Sequence, residues 1–99
     1  MDFYSFKNKI YEFCNKNAQE YPTDNDLKYF YNKYHITYGL IKDRSEARSM
    51  SRFIRFSTKQ RLVYREQLSE LGIELTPIQV NYYIYMICII LKEKFNIDT

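Results

Sequence analysis

Apolar side chains return every third or fourth residue along most of this chain, the spacing that places them on one face of a helix. Phe3, Phe6, Ile10, Phe13 and Cys14 form one such stripe, with Lys7, Lys9, Glu12, Asn15 and Lys16 lying away from it. They predict a first helix over 2–20. Tyr21-Pro22 ends it, because the residue before a proline is pushed out of the helical region. Leu27, Phe30, Tyr31, Tyr34, Tyr38 and Ile41 predict a second helix over 24–41. Thr23 or Asp24 caps it, and Asp24 and Asp26 sit at its positive end. Helical spacing outweighs the strand propensity of His35-Ile36-Thr37-Tyr38, although Gly39 weakens the last turn.

Residues 42–45 read as a connector. Ala47, Met50, Phe53 and Ile54 then predict a third helix over 45–56. Ser57-Thr58-Lys59-Gln60 has the form of a capping box and opens a fourth over 58–71, carrying Tyr64, Leu68 and Leu71 and halting at Gly72. A bend at Ser57 would make these two a single helix. Thr76-Pro77-Ile78-Gln79 is the strongest local signal: a capping threonine, proline at the first helical position and glutamine three residues after the cap. It predicts a fifth helix over 77–95.

The expected fold is therefore all-α: a compact bundle of about five helices in one domain, 1–99, wound around an apolar C-terminal helix. That helix is apolar almost all round from Tyr82 to Leu91, so it must be buried all round. Ile84, Ile87, Cys88 and Leu91 are its expected core positions, with Phe6, Ile10, Phe13, Phe30 and Phe53 packed around them. If four short helices cover only two or three of its sides, a second copy must cover the rest. This predicts a homo-oligomer, a dimer in the simplest case, with Tyr82, Tyr83 and Tyr85 at the seam. The apolar run 78–91 contains Gln79 and Asn81 and falls short of the roughly 20 residues of a bilayer span. No membrane partner is expected.

Composition adds little to this picture, and charge adds much. The chain has 99 residues, 45% apolar and 27% charged, ordinary for a globular domain. Heavy use of Tyr, Ile, Asn, Lys and Phe is what an AT-rich coding sequence tends to give, and fits an origin in a phage, a virus, a mobile element or a low-GC bacterium. Cys14 and Cys88 have no metal-site or redox-motif spacing, and Asp2 and Lys7 interrupt the opening aromatics, so no signal peptide is expected and reduced thiols in a cytoplasmic protein are. All six arginines lie between residues 44 and 65: Arg44, Arg48, Arg52, Arg55, Arg61 and Arg65. Residues 42–65 carry eight positive and two negative side chains, a net of +6, against a net of −3 for the rest. At about 100° per residue Arg44, Arg48, Arg52 and Arg55 share one sector, joined by Lys59 if the helix continues, nearly opposite the apolar stripe. Like charges at this spacing cost a helix a few tenths of a kcal/mol per pair, about 1–2 kcal/mol for the four pairs present.

Arginine holds a planar fork of donors that grips phosphate or carboxylate in two places. Three readings follow. The arginines dock on nucleic acid backbone, non-specifically, with Ser45, Ser49, Ser51, Ser57 and Thr58 adding phosphate contacts. They bind an acidic surface of a host or replication protein, making the chain a small regulator or inhibitor. Or they are neutralised by carboxylates of this chain or of a neighbouring copy, with Glu12, Glu20, Asp24, Asp26, Glu70 and Glu74 as internal candidates. The first is favoured, without base readout, since the helix after the Gly72 turn is too apolar for a recognition helix. Tyr29, Tyr31, Tyr34 and Tyr38 resemble a stacking platform, but the last three lie on the apolar stripe and are better read as core.

Nothing points to an enzyme. His35 is the lone histidine, no glycine-rich loop cradles phosphate, and Asp24 and Asp26 fit helix-start electrostatics better than a metal site. No cofactor and no metal are expected.

Overall fold

The computed structural model describes the backbone of residues 1–54 and 58–98, and the side chains of 1–54 and 62–98. It is all-α: α1 (Phe3–Lys16), α2 (Asp24–Leu40), α3 (Arg44–Ile54), α4 (Thr58–Glu70) and α5 (Pro77–Phe95). The Ser57 capping box and the link between α3 and α4 lie outside the described residues.

Caps set most of the boundaries. Thr23 accepts from the Asp26 N–H while Asp26 accepts from the Thr23 N–H, and Thr76 and Gln79 repeat the exchange at the start of α5. α4 ends in a Schellman turn: Gly72 takes a left-handed φ of 83°, the Ile73 N–H returns to the Leu68 carbonyl and the Gly72 N–H to that of Ser69. Leu71, expected on the apolar stripe, is thereby pushed past the helix end and is 77% exposed.

α1 stops earlier than expected, at Lys16 rather than near residue 20, through the same device built on a different residue. Ala18 takes a left-handed φ of 53°, and the Gln19 N–H returns to the Cys14 carbonyl. A left-handed side-chain-bearing residue costs about 1–2 kcal/mol, and glycine there avoids the cost at some entropic loss. Ala18→Gly is therefore expected to stabilise the fold by about 0.5–1 kcal/mol, read as a higher midpoint in urea unfolding.

α1 packs on α2, α3 packs on α4, and all four pack on α5. Two helical pairs thus enclose the central helix, and Tyr82 through Leu91 are buried without exception. The expected seam is not at the surface. Tyr82 meets Phe30 of α2 edge-on at 6.1 Å, Tyr83 meets Tyr64 of α4 at 5.8 Å, and Tyr85 stacks on Phe13 of α1 at 5.1 Å. Each of the three is used on a different helix of the same chain, so a second copy is not needed to cover α5. Among the described residues no helix is long and apolar enough to cross a membrane.

Two of the buried phenols are tied down. Tyr82 donates to the Glu20 carbonyl at 2.6 Å, and Tyr34 donates to the Glu93 carboxylate. Burial pushes the Tyr82 hydroxyl up to about 12 and raises those of Tyr34, Tyr64 and Tyr83 as well, with the Glu93 carboxylate adding to the rise at Tyr34. A folded-state value above the unfolded one stabilises the fold below the unfolded phenol's pKa of about 10. That stability is lost as pH climbs through the folded values. Thermal midpoints are expected to be flat up to about pH 9 and to fall steeply above pH 10; a flat profile to pH 12 would contradict this burial.

Candidate nucleic-acid interface

The basic face is carried by α3. Asp43 caps it, its Oδ1 accepting from the Glu46 N–H at 2.8 Å, while Glu46 reaches back to the Lys42 N–H at 3.1 Å. The expected connector is thus a helix start, and Arg44 opens the first turn. A cation is unfavourable at that positive end. Arg44 instead extends to the negative end of α5 and donates to the Phe95 carbonyl at 2.7 Å. Lys94 does the same for α2, its Nζ donating to the carbonyls of Tyr38 and Ile41, the latter at 2.7 Å. Both side chains satisfy carbonyls that a helix end leaves unpaired.

The inward face of α3 is Ala47, Ser51 and Ile54, with Met50 and Phe53 partly buried. Burial of Ser51, 4% exposed, was not expected, and it rotates the helix. At about 100° per residue the centre of the arginine sector lies roughly 90° from the buried sector, not nearly opposite it. The arginines therefore flank the packed face, which is how Arg44 reaches α5.

Arg48 and Arg52 are exposed, one turn apart on this flank. Neither guanidinium meets a carboxylate among the described residues, where the ion pairs join Met1 to Glu93 and Lys92 to Asp98. None of Glu12, Glu20, Asp24, Asp26, Glu70 and Glu74 reaches them. Asp26 is committed to the α2 cap and accepts from Gln79 Nε2 at 3.1 Å, while Glu74 accepts from the Ser69 hydroxyl at 2.6 Å. Internal neutralisation does not account for Arg48 and Arg52. Ser45 and Ser49 are exposed beside them.

The remaining sequence candidates divide. Arg55 lies outside the described residues, as do the side chains of Lys59 and Arg61. Arg65 is directed elsewhere: its Nε donates to the Leu75 carbonyl at 2.8 Å, in a cleft it shares with Glu66 and Glu74. Arg44 and Arg65 are thus fasteners between elements, and the described face open to a partner narrows to Arg48 and Arg52.

One feature escaped the sequence altogether. α3 and α4 frame a cleft of about 220 Å³, lined by Ser49, Met50, Phe53, Ile54, Tyr64 and Gln67, of which Ser49 borders the arginine flank. Helical spacing placed Phe53 and Tyr64 on inward faces of their own helices. Only the packing of one helix on the other brings their rings to 4.9 Å at 54°.

The tyrosines of α2 do not form a platform. Tyr34 is buried, Tyr31 and Tyr38 are half-buried, and Tyr31 and Tyr34 pack on Phe6. His35 sits on the surface against Tyr31 and Tyr34, 4.6 and 5.1 Å between ring centres. Cys14 and Cys88 are buried, and burial raises the Cys14 thiol above its ordinary value. Among the described residues no group of three or more His, Cys, Asp or Glu side chains could hold a metal ion.

Compared with protein-family models, curated proteins and solved structures, the chain matches none.

Proposed function

We propose that this chain is a small non-enzymatic binding protein that docks the flank of α3 on nucleic acid backbone through Arg48 and Arg52. The observation that carries the reading is their exposure without a carboxylate partner, within a segment of net charge +6. Two like charges one turn apart weaken a helix, and nothing described inside the fold offsets that cost. A polyanion does. Phosphates spaced along a strand neutralise both guanidinium groups and release condensed counterions on binding. The exposed hydroxyls of Ser45 and Ser49 add neutral donors to the same surface.

The test is a titration of fluorescently labelled oligonucleotides across salt concentration. Log affinity should fall linearly with log salt for any base sequence, with a slope near one per phosphate contacted. Absence of binding at low salt, together with capture of one acidic protein through the same arginines, would replace this reading with that of a small inhibitor.

A further inference from the structure

We infer that the cleft between α3 and α4 receives one unstacked base of a single-stranded nucleic acid whose phosphates lie on Arg48 and Arg52. The inference rests on the nucleic-acid reading above and specifies its ligand. The cleft, at about 220 Å³, is smaller than the roughly 300–1,000 Å³ of drug-sized ligand sites and suits one planar heterocycle.

Its lining has the chemistry a base requires. Phe53 and Tyr64 present aromatic surface, and Met50 adds a polarizable thioether that favours contact with π-systems. Stacking of this kind is tolerant of base identity, because every base has a π-face. At the rim, Ser49 and Gln67 are exposed and offer both donors and acceptors to a base edge.

Charge places the strand. Ser49 follows Arg48 directly and stands three residues before Arg52, so at about 100° per residue the rim and Arg52 are roughly 60° apart on the helix. Phe53, inside the cleft, lies about 100° from Arg52, so a nucleotide with its phosphate on Arg52 and its base against Phe53 wraps rather more than a quarter turn of α3 across Ser49, with the neighbouring phosphate left to Arg48. A duplex cannot use both, since its bases are stacked within the helix and extruding one costs free energy. The same geometry therefore prefers single strands.

Three probes of equal length test this at one salt concentration by fluorescence anisotropy: oligothymidylate, an abasic deoxyribose-phosphate oligomer and a duplex. Oligothymidylate should bind about 10-fold more tightly than the abasic oligomer, within the range for one stacked base, and more tightly than the duplex. Ser49→Leu places a branched apolar group over the mouth from an exposed position. It should abolish the preference for oligothymidylate over the abasic oligomer, while both lose by the same factor whatever the Ser49 hydroxyl gave to backbone binding. Gln67→Leu, on the opposite rim, should do the same and serves if thermal unfolding shows Ser49→Leu to be misfolded. Equal binding of oligothymidylate and abasic oligomer, or tightest binding of the duplex, overturns the base site and leaves the backbone reading standing. Failure of the unmodified protein to bind any of the three overturns both.

Discussion

Replacing Arg48 and Arg52 together by glutamate is expected to lower affinity for nucleic acid by about 100-fold or more, because a hydrogen bond to a charged group is worth about 1.5–3 kcal/mol and two are removed. The salt slope should fall by about two, one for each lost phosphate contact. The fold should survive. Both side chains are exposed and make no ion pair among the described residues, and the double reversal replaces one like-charge pair one turn apart by another while giving Arg44 an opposite charge four residues on. Circular dichroism should be unchanged while binding collapses. Arg44→Ala and Arg65→Ala are the contrast. Each frees a carbonyl, of Phe95 or Leu75, that the arginine now occupies, so stability should fall while the salt slope holds. If either single change removes more affinity than the double reversal at 48 and 52, the binding face has been misplaced.

Ile87→Ala is expected to cost about 2–5 kcal/mol, the range for large-to-small changes in a packed core. Ile87 is fully buried at the middle of α5, where helices approach from both pairs. Such a site collapses poorly around a cavity, because closing it would move several helices at once. For a domain of this size each kcal/mol shifts the thermal midpoint by about 4–8 °C, so a drop of roughly 8–40 °C should be measured. At the low end of a total stability of about 5–15 kcal/mol this loss would bring the protein near unfolding. Leu71→Ala is the internal control: at 77% exposure it should change stability by less than about 0.5 kcal/mol. A loss below about 1 kcal/mol at Ile87 would mean that α5 is not the centre of the fold.

The sequence by itself determined the helical class, the start and end of α5 and, to within one residue, the cap of α2. These rest on local chemistry: a threonine that bonds the amide three residues on, a proline with no N–H to lose, and apolar spacing that makes sense only on one face. It also determined that positive charge gathers between residues 42 and 65, since charge does not depend on packing. What depends on distance between helices was decided by the tertiary structure alone. The end of α1 is set by Ala18 in a left-handed turn, a conformation alanine does not advertise. The enclosure of Tyr82, Tyr83 and Tyr85 follows from two helical pairs closing on α5, where a count of sides had left room for a second copy. Burial of Ser51 turns α3 so that Arg44 fastens α5 and Arg48 and Arg52 remain open. Six arginines look alike along the chain. They become different only when other helices bring, or fail to bring, carbonyls and carboxylates within reach of each guanidinium.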